Sequence, residues 1–184
     1  MGDITELIAR ARGGDRPALD DLFSRLYPDL RRIARARLAQ NQRDALIGTT
    51  VLVHECYMKF VAAQRLTVED RAHFLAYAAT AMRSIIVDAA RAARAARRGG
   101  DAVHLSLDTS HAESLPQGED EILDVDAALA ELAALNPRLV QVVEMRYFVG
   151  MTDAEIGDAL GLTDRTVRRD WEKARLLLAH ALRG

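Results

Sequence analysis

Residues 152–182, TDAEIGDALGLTDRTVRRDWEKARLLLAHAL, restrict the fold of this chain more than any other segment. Thr152 and Glu155 match the S/T-x-x-E capping box, in which two side chains satisfy backbone amides at a helix start. Gly161 supplies a tight turn, and Thr163 is placed to cap a second helix. One small and two apolar residues fit the contact between these helices: Gly157, Ile156 and Leu160. The segment predicts a helix-turn-helix.

The second helix of this motif is predicted to bury one face and to expose a basic one. Its apolar positions recur at helical spacing: Val167, Trp171, Ala174, Leu178 and Ala181. The opposite side is polar and basic: Arg165, Thr166, Arg168, Arg169 and Lys173. Major-groove readers use side chains near the helix N-terminus to reach base edges, while neighbours bind phosphate. An Arg-rich hairpin can arise by chance, but the caps and turn at matching spacings favour DNA binding.

Two further helices are predicted between residue 127 and Gly150, which ends the second of them. The first ends at Asn136-Pro137, because Asn caps helices and Pro is favoured at a first helical position. Their apolar positions are Ala127, Leu129, Leu132 and Leu135, then Leu139, Val142, Val143 and Tyr147. With the helix-turn-helix they form a predicted domain, residues 127–184.

Charge is segregated along the chain, although the net charge is only −2. Residues 1–98 contain 17 Lys or Arg against 11 Asp or Glu, which gives +6. Residues 99–126 contain 8 acidic residues and no basic one, and residues 127–184 contain 8 of each sign. This division predicts two modules joined by an acidic connector, and the scattered Ser, Thr, Pro and Gly predict an extended linker.

Residues 1–98 are predicted to form four helices. Asp15 is placed to cap the second helix, and Thr49 or Thr50 the third. The apolar stripe of the second helix is Leu19, Leu22, Phe23, Leu26, Leu30, Ile33 and Ala34. That of the third is Leu52, Val53, Cys56, Tyr57, Phe60 and Val61, and that of the fourth is Phe74, Ala78, Ala81, Ile85 and Ala89. The alternation of helix starts and apolar stripes predicts a separate helical domain.

The fourth helix, from Arg71 to about Arg98, has a second notable face. At about 100° per residue, five arginines fall within one arc: Arg83, Arg91, Arg94, Arg97 and Arg98. A solvent-exposed charged face is the simpler interpretation. No acid interrupts the last turns, however, and arginine suits phosphate by charge and by geometry. The face therefore predicts nucleic-acid contact.

Composition excludes several other classes of protein. Cys56 is the only cysteine, so the chain has neither a disulfide framework nor a Cys-based metal site. His104 and His111 lack carboxylates or cysteines at ligand spacing, which favours ordinary loop histidines over a metal site. No stretch approaches the roughly 18 apolar residues of a membrane span, and the N-terminus lacks a signal core. We therefore expect a cytoplasmic protein without a cofactor or metal.

With these residues in place, the chain resembles the extracytoplasmic-function (ECF) sigma factors of bacteria over nearly its whole length. RAHFLAYAATAMRSIIVDAARAARAARRGG resembles the region-two helix that meets the minus-ten promoter element. TDAEIGDALGLTDRTVRRDWEKAR resembles the region-four helix-turn-helix, with Gly157 where Ala is usual. TTVLVHECYMKFV resembles a paralogous subgroup found in bacteria rich in Ser/Thr kinases. The resemblance implies an all-α fold with region two at residues 1–98 and region four at residues 127–184.

The resemblance also implies a mechanism. Region two would clamp the polymerase largest subunit through its third helix, exposing Thr50, His54, Glu55, Met58 and Lys59. Residues 63–70 and the fourth helix would capture the unpaired minus-ten strand. Region four would dock on the flap of the second-largest subunit and place Arg165, Thr166, Arg168 and Arg169 in the minus-thirty-five major groove. The implied partners are core RNA polymerase, promoter DNA and either an anti-sigma factor or a Ser/Thr kinase.

One departure from the family pattern concerns the start of the third helix. Relatives carry several acids there that pair with polymerase arginines, whereas this chain reads Ala45-Leu46-Ile47-Gly48-Thr49-Thr50. A phosphate on Thr49 or Thr50 would add about −1.5 to −2 charges at a helix N-terminus, which favours anions. The hypothesis is that phosphorylation converts a weak core binder into a competent one. The alternative is that both threonines only cap the helix.

Two other functions compete with the sigma-factor interpretation. His54-Glu55 begins like a zinc-protease motif, but Met58 stands where the second histidine is required. No phosphate-binding loop or nucleophile set is evident either, so an enzyme is not expected. The alternative function is a stand-alone helix-turn-helix transcriptional regulator. Such regulators usually carry a ligand-binding or dimerisation domain, whereas the first module here has a basic face.

Overall fold

The computed structural model describes residues 3–38, 47–63, 66–98 and 117–183, and over those residues the all-α prediction is confirmed. The helices are α1 (Ile4–Arg12), α2 (Arg16–Leu38), α3 (Thr49–Ala62), α4 (Arg71–Arg98), α5 (Gln117–Leu135), α6 (Pro137–Val143), which continues as a π-helix (Glu144–Val149), α7 (Asp153–Leu160) and α8 (Asp164–Ala181). We call α1–α4 the first unit and α5–α8 the second unit.

The first unit is built around three aromatic rings from three helices. Phe23 of α2 lies edge-on to Phe60 of α3 and Phe74 of α4, with ring centroids 5.0 and 5.4 Å apart. Edge-to-face packing of these rings adds about 0.5–1.5 kcal/mol per pair beyond area burial.

The predicted cap of α2 is confirmed, because Asp15 Oδ1 accepts a hydrogen bond of 3.1 Å from the Ala18 amide.

The start of α3 differs from the prediction. Gly48 is the N-cap residue, and its extended backbone (φ −75°, ψ 154°) carries no side-chain cap. Thr49 and Thr50 therefore occupy the first two helical positions, so the prediction that either one caps the helix is wrong. A threonine in the first turn cannot cap because its own backbone is already helical.

The apolar stripe of α4 is also wider than predicted. Phe74 and Ala78 are buried as expected, whereas Ala81, Ile85 and Ala89 are only half-buried. The other buried positions lie on the adjacent face: Leu75, Ala79, Met82, Ile86, Val87 and Ala90. The prediction was partly wrong because it treated the first module as separate. The second unit instead packs against α4 and covers positions that would otherwise be exposed.

In the second unit, the predicted break between α5 and α6 is confirmed. The Asn136 side chain accepts a hydrogen bond from the Arg138 amide, and Pro137 is the first residue of α6. Tyr147 was predicted to be buried but is exposed, while Phe148 and Val149 are buried. The π-helix has more residues per turn than an α-helix, so side chains after Val143 leave the 3.6-residue pattern. In α5, Ala127 and Leu135 were also predicted on the apolar stripe but are exposed.

Helix α5 begins at Gln117, inside the segment predicted to be an extended linker. That prediction is wrong for residues 117–126, because Ile122 and Val125 extend the helical spacing of Leu129 and Leu132 towards the N-terminus. Ile122 is buried with them. Residues 99–116, which include His104 and His111, lie outside the described residues. The division of the chain into domains stays a prediction.

Candidate nucleic-acid interfaces

The helix-turn-helix of α7 and α8 has the local geometry that its sequence predicts. Glu155 Oε2 accepts from the Thr152 amide at 2.8 Å, and Thr152 Oγ1 accepts from the Glu155 amide at 3.3 Å. These two bonds form the capping box. The Thr152 amide and, to a lesser extent, the Thr152 hydroxyl donate to the Glu155 carboxylate and hold its pKa below the ordinary value. Gly161 ends α7 with φ +66°, and the Thr163 hydroxyl accepts from the Thr166 amide at the start of α8.

Gly157 is where α7 meets the turn most closely. A Cβ atom at this position would lie 2.6 Å from the carbonyl oxygen of Leu162 and 3.6 Å from Asp164 Oδ1. The Leu162 amide also donates to the Gly157 carbonyl at 2.8 Å, which draws the two backbones together. The predicted close approach is therefore between α7 and the turn that leads into α8.

The predicted DNA-contacting side chains of α8 lie on its outer side. Arg165, Arg168, Arg169 and Lys173 are exposed, and Thr166 is half-buried. Arg168 Nε lies 3.2 Å from Asp153 Oδ2. Over the described residues, no ion pair is formed by Arg165 or Arg169. This face can present two guanidinium groups to an anion without first breaking an internal contact.

The inner side of α8 matches the prediction in part. Val167 and Ala174 are buried and Trp171 is half-buried, but Ala181 is exposed, so its predicted burial is wrong. Helix α8 extends past the elements that cover it. Asp170 is also buried, and Arg138 Nε of α6 lies 2.7 Å from its Oδ2. This pair ties the recognition helix to α6.

The arginines predicted on α4 are not all turned to solvent. Arg83 donates from Nε to Asp126 Oδ1 and from Nη1 to Glu144 Oε1, both at 3.1 Å. Arg91 Nη2 donates to Asp126 Oδ2 at 3.4 Å, and Arg94 Nε lies 3.8 Å from Asp120 Oδ1. All three acids belong to the second unit. The side chains of Arg97 and Arg98 lie outside the description.

A buried ion pair beside these contacts was not predicted. Arg37 of α2 pairs with Glu144 of the π-helix, and their side chains are only 3% and 4% exposed. The Arg37 guanidinium carbon also lies 3.3 Å from the centroid of the Phe148 ring. One sequence signal was available: Arg37 continues the apolar spacing of Leu30 and Ile33, where an exposed residue is not expected.

The residues predicted to meet polymerase share one exposed face of α3. The members are Thr50, His54, Glu55, Met58 and Lys59. Met58 is 45% exposed, and its apolar neighbour Val51 is 52% exposed. Lys59 stands four residues after Glu55, a spacing that favours an ion pair, but it donates to Ser84 Oγ at 2.8 Å and lies 3.8 Å from Asp88 Oδ2. The packing of α4 beside α3 supplies these nearer partners.

The described ranges contain no group of three or more His, Cys, Asp or Glu side chains that could hold a metal ion. Over the same ranges, no helix is long and apolar enough to cross a membrane. No curated protein and no solved structure matches the chain.

A family model described as "ECF sigma factor" matches residues 1–184. The match includes the helix-turn-helix and α4, on which the predicted resemblance depended. The match does not identify a subgroup, so membership of the kinase-linked subgroup stays a prediction. The chain belongs to the ECF sigma factor family.

Proposed function

We propose that this chain binds core RNA polymerase through the exposed face of α3 and reads promoter DNA with the outer face of α8. Family membership over residues 1–184 carries the proposal, because sigma factors of this family direct transcription initiation. The geometry supports it, since the basic outer face of α8 and the partly apolar face of α3 are both accessible. A second DNA contact would lie on α4, to which Arg97 and Arg98 would contribute.

On α8, Arg165 and Arg169 are the best candidates to read bases. They lie one turn apart near the helix N-terminus, where major-groove readers place their specific contacts. Arg168 and Lys173 would hold phosphate, and Thr166 would contact the same strand. Arg168 would exchange its ion pair with Asp153 for a phosphate oxygen, which costs little because such exposed pairs contribute about 0–1 kcal/mol.

Transcription from a defined template tests the assignment to α8. The wild-type protein with core polymerase should give promoter-dependent transcripts, and Arg165→Ala or Arg169→Ala should reduce them about 5- to 150-fold, equivalent to 1–3 kcal/mol per base contact. Arg175→Ala is the matched control, because Arg175 lies on the same helix, is exposed and pairs only with Glu172 among the described residues. Wild-type rates from both test variants would refute the assignment.

The requirement for polymerase separates this function from that of a stand-alone regulator. Free protein should show no tight binding to a palindromic site, since each unit offers only a small DNA surface. Specific binding of a promoter fragment by the protein alone would overturn the sigma-factor proposal. Specific binding that occurs only with core polymerase present would support it.

On α3, the exposed apolar side chains support docking to a protein. Met58→Asp should weaken binding to core polymerase, because it places a charge in a face that polymerase would cover. Tyr27→Asp is the control, since Tyr27 is comparably exposed but belongs to a different helix, α2. Equal core affinity in the two variants, measured by fluorescence-detected titration, would place the polymerase contact elsewhere.

Phosphorylation of α3 is the finer part of the proposal. The first turn of α3 contains no acid, so a phosphate there would supply the negative charge that the unpaired amides of a helix start favour. Thr50 is exposed and Thr49 half-buried, which makes Thr50 the more accessible acceptor. Polymerase arginines could then bind phosphate oxygens where relatives of this chain offer carboxylates. A Ser/Thr kinase would be the partner.

The position of the cap makes this hypothesis easy to test. Because Gly48 is the N-cap, Thr50→Ala should leave stability nearly unchanged while abolishing any kinase-dependent gain in core affinity. Thr80→Ala, an exposed position on α4, is the control and should keep that gain. Tight core binding by unphosphorylated protein that kinase treatment leaves unchanged would refute the switch.

A further inference from the structure

Helix α8 carries a buried carboxylate in the middle of the segment proposed to contact DNA. Asp170 is 3% exposed and packs inward together with Val167 and Ala174. Arg138 Nε of α6 lies 2.7 Å from Asp170 Oδ2, while the Arg138 side chain is 40% exposed. Over the described residues, no other cation pairs with Asp170. Removal of the Arg138 charge would therefore leave a buried negative charge without its partner.

Both members of this pair are unfavourable when each is considered alone. Arg138 is the second residue of α6, and a cation in the first turn of a helix opposes the helix dipole. A carboxylate at a buried position costs desolvation energy that an apolar side chain would avoid. Buried ion pairs also add little net stability, because desolvation offsets most of their attraction. Stability alone therefore does not account for the presence of these two charges.

The pair lies where it can fix the rotation of α8 about its own axis. At about 100° per residue, Asp170 lies about 60° to one side of Val167 and Arg168 about 100° to the other. Asp170 contacts α6 and Arg168 contacts Asp153 of α7, so each edge of the buried face has an ionic anchor. Under the proposed function, Arg168 exchanges Asp153 for phosphate, which leaves the anchor at Asp170 to hold the bound helix.

Small rotations of α8 matter because Arg165 and Arg169 lie on the side opposite the buried face. A rotation of about 10° moves an atom about 6 Å from the helix axis by about 1 Å. Binding groups need to be held to within about 0.5 Å of their productive geometry. The apolar contacts of Val167 and Ala174 are non-directional and tolerate such a rotation, whereas an ion pair weakens as its charges separate.

The neighbours of Asp170 on α8 add a second consequence. Thr166 lies four residues before it and Lys173 three residues after it, and both are predicted to contact DNA. Residues three or four apart on a helix face one another. Without Arg138, the carboxylate would turn towards Lys173, which forms no ion pair within the described residues. It would then compete with phosphate for Lys173 and repel the DNA backbone.

We propose that Arg138 is a positioning residue for promoter recognition, which holds Asp170 and thereby sets the rotation of α8 and the bases that its arginines read. The inference rests on the proposed function, since it takes α8 as the DNA-reading helix. Arg138 itself belongs to α6 and acts on DNA through Asp170.

Two substitutions of Arg138 separate its charge from its packing. Arg138→Lys keeps a positive charge near Asp170, whereas Arg138→Met keeps only an unbranched apolar side chain. Asp170→Asn removes the carboxylate of the same pair. Glu172→Gln is the control, because it removes an exposed carboxylate of α8 that pairs with Arg175. Urea unfolding of each full-length variant shows whether it is folded.

Transcription with core polymerase, from a template library randomised over the minus-thirty-five element, measures base preference through the recovered transcripts. Arg138→Met should lower transcription from the preferred template about tenfold and should reduce the preference for it over single-base changes about fivefold, as expected when a base contact is misplaced. Arg138→Lys and Glu172→Gln should match wild type in both measurements. Unchanged base preference in folded Arg138→Met would overturn the proposal. If Arg138→Met does not fold, Asp170→Asn carries this test, and its preference should be relaxed relative to Glu172→Gln.

The double variant Arg138→Met with Asp170→Asn decides whether Arg138 acts through Asp170. Because it contains no unpaired carboxylate, it should recover most of the transcription lost in Arg138→Met while its base preference stays relaxed. If Arg138 instead bound phosphate directly, the added Asp170→Asn would restore nothing. That result would overturn the proposal.

Trp171, the only tryptophan of the chain, gives a readout that needs no polymerase. It follows Asp170 on α8, is half-buried, and its ring centroid lies 5.1 Å from the Arg146 guanidinium carbon. The emission maximum and iodide quenching of free Arg138→Met should differ from those of wild type and Arg138→Lys, because rotation of α8 changes the surroundings of the ring. Identical spectra and quenching in all three would contradict the positioning role. Absence of transcription by the wild-type protein would instead refute the sigma function and leave these spectra standing.

Discussion

Replacing Gly157 with alanine tests how closely α7 approaches the turn before the recognition helix. The added Cβ would lie 2.6 Å from the Leu162 carbonyl oxygen, whereas such contacts are almost never shorter than 3.0 Å. The turn must therefore move by at least about 0.4 Å, and overpacking of this kind costs about 1–3 kcal/mol. Alanine recovers about 1 kcal/mol through its higher helix propensity. We expect a net loss of about 1 kcal/mol and a displaced α8.

Urea unfolding of the full chain measures the loss, and transcription with core polymerase reports the displacement of α8. The control is the pair Asp158→Gly and Asp158→Ala, at an exposed position of the same helix. Alanine should be the more stable of this pair by about 1 kcal/mol. If Gly157→Ala stabilises the protein by a similar amount, the close approach is not real and the reasoning fails.

Three further predictions follow from buried or capping groups. Glu144→Ala should cost about 3–5 kcal/mol in urea unfolding, because it removes a buried carboxylate that pairs with Arg37 and Arg83. Replacing both Arg37 and Glu144 with Met should cost less, and equal costs would contradict this. The hydrogen bonds from Thr152 lower the pKa of the Glu155 carboxyl. Their stabilising contribution is therefore complete above the ordinary glutamate pKa of about 4.3, and it is lost as the pH falls through the lowered pKa of Glu155. The stability gap between wild type and Glu155→Ala should therefore narrow between pH 7 and pH 3.5. Burial raises the pKa of Cys56 to about 12, so iodoacetamide should modify it at pH 8 only in unfolded protein.

Local signals made much of the fold predictable from sequence. Thr152 with Glu155, Asn136 before Pro137, and Gly161 each act within four residues, so their effect does not depend on distant packing. The exposed face of α8 was predictable for the same reason, since helical spacing alone separates Arg165 and Arg169 from Val167. The candidate site on α8 therefore needed no knowledge of the tertiary structure.

The remaining features depend on contacts between distant parts of the chain. The pairing of Arg37 with Glu144 joins residues that are 107 positions apart, and no local pattern encodes it. The π-helix lies in the same contact region, and its wider turn places Tyr147 outside the buried stripe. Arg83 was predicted to lie on a basic face, but its partners Asp126 and Glu144 could not be read from α4 alone. These misses all lie where the second unit meets the first.

The early start of α5 sets a limit on how far the two units can travel apart. As a helix of 19 residues, α5 is about 28 Å long and moves as a rod. The sequence between α4 and α5 is then residues 99–116, which number 18 rather than the 28 of residues 99–126. Fully extended, 18 residues span at most about 60 Å, against about 95 Å for 28. Under the proposed function, two promoter elements whose protein contacts require a longer connection would be out of reach, so the start of α5 would limit the promoter spacing that the chain can bridge.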